Sequence, residues 1–175
     1  MVKKIGQLIF LIFLISAAAV IQSSLIFSLP PGFSAFNLML IVLVFTLFFY
    51  DFRSALGAAL VGGFWLDILA FNFFGFYLIA LFLTVWLSDW ILRSWLTNRS
   101  LYSFGLLIFL ATIAYNFLVG ILAYFGSNSP FFLGRSGFWS TLFYQSIWSE
   151  LAALLMFSLA GALTRRLKPF FLEKK

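Results

Sequence analysis

Charges in this chain fall at the ends of long apolar runs, and the runs set the predicted architecture. The first stretch without charge, Ile5 to Tyr50, is more than twice the roughly 20 residues that one membrane crossing needs, so it predicts two spans. Ser28-Leu-Pro-Pro-Gly-Phe-Ser34 marks the reversal between them, because paired prolines and a glycine break helix and favour a turn. Helix one is expected over 5–27 and helix two over 36–50. Asp51-Phe-Arg-Ser54 reads as a short polar hinge, followed by helix three over 55–71, a turn at Asn72-Phe-Phe-Gly75 and helix four over 76–92. Arg93 to Ser100 forms the next polar connection and helix five takes 101–125. A longer loop containing Ser127-Asn-Ser-Pro130 leads to helix six over 138–163. Connections this tight predict that helices two, three and four are antiparallel neighbours in sequence order.

The fold class expected is all-α: one polytopic membrane domain over 1–175, about six transmembrane helices in one bundle, both termini cytoplasmic. Composition agrees, since 64% of the residues are hydrophobic and 9% charged, too few charges to clothe a soluble core. Orientation follows from the bases. With the N-terminus inside, ten of the eleven lysines and arginines lie on the inner side and only Arg135 lies outside, the bias that membrane insertion imposes. The net charge of +6 therefore orients helices and does not form a nucleic-acid stripe. The basic tail from Thr164 to Lys175 is expected on the cytoplasmic surface, against anionic lipid. Lys3-Lys4 followed by an apolar run and Ser16-Ala-Ala-Ala19 also has the form of a signal peptide, but hydrophobicity continues through Val20 to Phe27, which reads better as a retained helix. Trp65, Trp86, Trp90, Trp95 and Trp139 suit interfacial anchors.

Cysteine and histidine are both absent, which removes thiolate chemistry, the commonest metal ligand and the commonest general base. No phosphate-binding loop, zinc-protease motif, dinucleotide fingerprint or paired-carboxylate pattern is present. The expectation is a protein that is not an enzyme and carries no cofactor or metal. Three acids fall within spans, where a carboxylate in hydrocarbon costs on the order of 3 kcal/mol. Asp89 lies four residues before Arg93 and is expected to pair with it near the cytoplasmic end of helix four, as an interfacial ion pair worth little. Asp67 shares a helical face with Ala59, Gly63 and Ala70, a track of small residues that lets a neighbouring helix approach closely. Glu150 shares an arc of helix six with Ser146, Ser149, Ala153, Phe157, Ala160 and Gly161, expected to face inward. With no cation at membrane depth, Glu150 must stay protonated, borrow donors from Ser146, Gln145 or Asn116, or face a partner protein. Asp67 and Glu150 read either as part of a proton, ion or substrate path or as polar glue between helices, and glue is the simpler account.

Taken in order, Asn37-Leu-Met-Leu-Ile, Asp51-Phe-Arg-Ser-Ala-Leu-Gly57, Gly62-Gly-Phe-Trp-Leu-Asp67 and Gly75-Phe-Tyr-Leu78 resemble the rod shape-determining protein MreD family. That family shows an acid or amide opening helix two, a glycine-bearing hinge into helix three, a G-F-x-x-D element at its outer end and a glycine turn into helix four. The resemblance covers about Asn37 to Leu92; the proline often found before helix two is Phe36 here. It implies a non-enzymatic member of the bacterial cell-wall elongation machinery in the cytoplasmic (inner) membrane, involved in cell shape. Such a protein binds an MreC-like membrane partner and helps couple cytoplasmic MreB filaments to the peptidoglycan synthase pair of RodA and a class B penicillin-binding protein. The residues the resemblance marks for helix packing or a partner interface are Gly57, Gly62, Gly63, Asp67 and Gly75, to which the inward arc adds Glu150.

A second reading is the substrate-binding S-component of an energy-coupling-factor vitamin transporter, also a small six-helix protein with tight loops. Ser16-Ala-Ala-Ala19 is a weak echo of the Ala-rich helix-one face such components carry. Asn72, Asn128, Arg135 and Gln145 are the few outer polar groups that could hold a vitamin.

Overall fold

The computed structural model describes the backbone of residues 2–26, 36–70, 74–96, 100–127 and 136–171, and side chains over most of these segments from residue 12 to residue 158. The described residues form six helices and no strand: α1 (Val2–Ile21), α2 (Leu38–Phe49), α3 (Phe52–Leu69), α4 (Phe76–Ser94), α5 (Leu101–Ser127) and α6 (Ser136–Phe171). One turn of π-helix, Gln22–Ile26, continues α1. Three of the helices, α3, α4 and α5, are long and apolar enough to cross a membrane. The chain is a helical membrane protein.

The expected element order matches, and the differences are local. The polar hinge at Asp51 is a single step, because α3 begins at Phe52 with Asp51 at its N-cap position. Helix six is longer than expected at both ends, running through Arg165, Arg166 and Lys168 to Phe171. The expected turn at Ser28 to Ser34, Asn72, Arg99, the loop with Asn128 and Arg135, and the last four residues of the basic tail lie outside the described residues.

Helix α2 is the hub. It packs against α1, α3, α4, α5 and α6, and nine of its twelve residues are buried, including Met39, Leu43, Leu47 and Phe48. Its composition permits this, since an apolar helix without a polar face can be covered by protein as readily as by lipid. At 1.5 Å per residue its length is about 18 Å, short of the roughly 30 Å of hydrocarbon in a bilayer. The Asn37 side chain at its start lies beside the hydroxyl of Tyr115, and Phe48 at its far end packs on Phe104 with ring centroids 5.0 Å apart. Helix α2 therefore runs antiparallel to α5 and starts beside a residue about 21 Å along α5 from Leu101. Phe45 and Phe49, on the same end of α2, also meet Phe104 edge-on.

Around the hub, α3 packs on α4, α4 on α5, α5 on α6 and α1 on α3. The sequence-order pairing of two with three and three with four holds, and α2 makes further contacts across the bundle. Arg93 and Asp89 form the expected i, i+4 ion pair at 2.8 Å, and the Arg93 guanidinium also lies 5.8 Å from the Phe52 ring centroid, tying the end of α4 to the start of α3. Trp65, Trp86, Trp90, Trp95 and Trp139 are all exposed on the bundle surface. Trp86 lies eight residues before Ser94, about 12 Å from that helix end, so it faces outward at depth and does not mark an end.

Candidate functional site

A helix begins with four backbone N–H groups that have no partner within it. Helix α4 has no means of its own to satisfy them. Its N-cap is Gly75, which has no side chain and sits at φ +94°, a left-handed conformation that glycine adopts without strain. The acceptor comes instead from the last turn of α3. The Asp67 carboxylate accepts from the N–H of Gly75 at 2.9 Å, of Tyr77 at 2.7 Å and of Leu78 at 3.3 Å. Both of its oxygens are engaged, and the residue is only 3% exposed. A negative group facing the positive end of the α4 dipole adds to these bonds. Asp67 is polar glue between consecutive helices, and its acceptors point at backbone rather than into a channel.

This geometry needs close backbones. A Cβ placed on Gly63 would stand 2.5 Å from the Leu78 Cα, so α3 and α4 could not keep this close crossing with any larger residue there. A Cβ on Gly62 would meet the Met39 Sδ at 2.6 Å and the Ile15 Cγ2 at 3.2 Å, on the side of α3 facing α2 and α1. The two adjacent glycines thus serve two different neighbours. Ala59 and Asp67 are buried on the same side, as the small-residue track predicts. Leu66, the natural comparison for Gly63 on a wheel, is itself 1% exposed and belongs to the core. Gly57 departs from expectation as a packing residue. It is exposed, and a Cβ there would meet nothing within 4 Å, because that position turns toward the same outer surface as Leu60 and Phe64.

The start of α2 is capped in the same borrowed manner. Asn37 Oδ1 accepts from the Leu40 N–H at 3.0 Å, and Gln22 Oε1, carried on the π turn after α1, accepts from the Met39 N–H at 2.7 Å. Both side chains are buried. Asn37 lies in turn beside the buried Tyr115 of α5. One residue further along α5, Asn116 Nδ2 donates to Gln145 Oε1 of α6 at 2.9 Å and to the Thr112 carbonyl at 2.8 Å. A buried polar layer therefore crosses the bundle from α1 through α2 and α5 to α6, beside the Asp67 clamp.

Gln22 and Tyr115 were not legible as members of this layer. The available signal was indirect: α4 starts at a glycine that cannot cap it, so the cap had to arrive from elsewhere.

Glu150 is not part of this layer. The inward arc of α6 is real, with Gln145, Ser146, Ser149 and Ala153 buried, but Glu150 stands half-buried at its edge. The donors expected for it are used otherwise, since Gln145 and Asn116 bond each other and the Ser146 hydroxyl donates to the Leu142 carbonyl at 2.8 Å. Among the described residues its carboxylate has no hydrogen bond or ion pair. What faces it is Gly105, where a Cβ would stand 3.1 Å from Oε2. Gly105 is one turn from the start of α5, so Glu150 lies near an end of the bundle and not at its middle.

Of the outer polar groups open to a vitamin, Gln145 is committed to Asn116 and the other three lie outside the described residues. Among the described residues no group of three or more acidic side chains could hold a metal ion. Compared with protein-family models, curated proteins and solved structures, the chain matches none.

Proposed function

We propose that this chain is a non-enzymatic scaffold of the bacterial cytoplasmic membrane, of the MreD type, with six spans and both termini in the cytoplasm. It holds an MreC-like membrane partner and, with it, the RodA and penicillin-binding protein pair that extends the peptidoglycan wall. The observation that carries this reading is how the residues of the resemblance are used. Asn37 caps α2, Gly62 and Gly63 admit neighbouring helices, Asp67 clamps α4, and Gly75 turns the chain so that the clamp can close. Every one of these is an architectural task, which suits a protein whose product is a stable surface.

The exposed side of α3, where Gly57 has open space around it and Leu60 and Phe64 follow on the same face, is the surface we assign to a single-pass partner helix. The test is deletion and complementation in the host, paired with recovery of the detergent-solubilised protein. The expected result is rounded cells and co-purification of an MreC-like protein. Normal rods after deletion, together with nanomolar vitamin binding by the purified chain, would overturn the scaffold in favour of the S-component.

A further inference from the structure

The seam between α5 and α6 holds a groove of about 400 Å³, floored by Phe104 and Ala153 and walled by Leu106, Phe109 and Leu154. Its rim is open, since Tyr102, Leu106 and Leu154 are exposed on the bundle surface. Three further facts converge there. Gly105 leaves the space empty, because any Cβ would crowd the Glu150 carboxylate at 3.1 Å. Glu150 is half-buried in this apolar wall with no hydrogen bond or ion pair among the described residues. The site lies four residues from Leu101, about 6 Å along the helix and so near an end of the bundle.

We infer that the groove binds an aminophospholipid, with part of one acyl chain lying in the groove and the primary ammonium of the headgroup on the Glu150 carboxylate. A carboxylate at the edge of hydrocarbon is stabilised by a cation, and among the described residues the walls around it supply none: Leu101, Tyr102, Phe104, Gly105, Leu106 and Phe109 on α5, Ala153 and Leu154 on α6. A primary ammonium brings both charge and N–H donors, whereas a choline headgroup brings charge without donors and a glycerol headgroup brings hydroxyl donors without a positive charge. The space is at the lower end of the roughly 300–1,000 Å³ of ligand sites and suits a chain segment, not a helix of about 10 Å diameter. The site does not depend on the scaffold reading; only the leaflet does, which is cytoplasmic under the proposed topology.

Native mass spectrometry of the full detergent-purified chain, titrated with palmitoyl-oleoyl phosphatidylethanolamine, phosphatidylcholine and phosphatidylglycerol, reads the site directly. The ethanolamine lipid should bind about tenfold more tightly than the other two, the worth of one charge-assisted hydrogen bond. E150Q should remove that preference, and L154W, which fills the groove from its exposed rim, should lower binding of all three lipids without burdening the fold. G105L should do both, with helicity by circular dichroism checking that it folds. Free phosphoethanolamine should not compete, since it lacks the chain. Retention of the ethanolamine preference in E150Q would overturn the proposal. So would quantitative disulfide pairing of L154C between two copies of this otherwise cysteine-free chain, because the groove would then belong to a protein contact.

Discussion

Gly63 and Leu78 sit so close that a single added methyl on the glycine would stand 2.5 Å from the leucine's Cα, closer than real carbons approach. The α3–α4 pair is therefore a backbone contact, and the Asp67 bonds to Gly75, Tyr77 and Leu78 are possible because of it.

Gly63→Ala should accordingly force the two helices apart and weaken the clamp together with the packing. The expected loss is about 1–3 kcal/mol, the usual cost of overpacking. Gly57→Ala is the matched control on the same helix, with open space around it, and should be neutral or stabilise by up to about 1 kcal/mol through helix propensity. Thermal unfolding in detergent compares the two, and equal shifts would contradict the packed crossing.

Removing the Asp67 carboxylate leaves three N–H groups of α4 without their acceptor. Asp67→Ala should cost about 2–4 kcal/mol, the loss of a cap plus the penalty for buried donors. Asp67→Asn keeps one carbonyl oxygen and should recover part of that. Hydrogen exchange should localise the damage to the first turn of α4. Exchange raised uniformly through the bundle would mean that Asp67 acts elsewhere.

The Asn116–Gln145 bond joins α5 to α6 with both side chains buried. Asn116→Leu and Gln145→Leu should each destabilise, and the double variant should lose less than their sum, by about 0.5–2 kcal/mol. A denaturation series of the four proteins measures the coupling; strict additivity would show that the bond contributes nothing.

The ion pair of Asp89 with Arg93 is a contrast. Arg93 is 68% exposed on its side chain, so Asp89→Asn should change stability by less than about 1 kcal/mol. A larger loss would place the pair in a far less polar setting than its exposure indicates.

Topology has its own test. Reporter fusions at Ser34, Asn72 and Ser127 are expected outside, and fusions at Arg99 and Lys175 inside, given the distribution of basic residues. An external C-terminal reporter would require an odd number of spans.

Helix number, order and approximate ends were legible because charge-free runs, the prolines and glycines of the turns and the basic ends are local signals. Asp67 with Gly63 was legible as a packed face for the same reason: a four-residue spacing places both on one side of a helix. The identity of Asp67's partner was not, since it depends on the chain reversing and returning within 3 Å. Glu150 shows the limit of reckoning depth along one helix. Twelve residues into an expected span put it deep in the membrane, but α6 extends well past that span, and its register against Gly105 places the residue near an end. The enclosure of α2 was equally hidden, because an apolar run of that length reads the same whether lipid or protein surrounds it.

Enclosure has a consequence for how the protein feels its bilayer. A helix of about 18 Å, sheathed by five others and capped at its start by Gln22 and Asn37, has no hydrophobic length to match. When the surrounding acyl chains lengthen or shorten, adjustment is expected to fall on the spanning helices with exposed apolar surface, α3, α4 and α5, before it reaches the enclosed α2. Thickness becomes a signal written on the rim of the protein and unread at its hub.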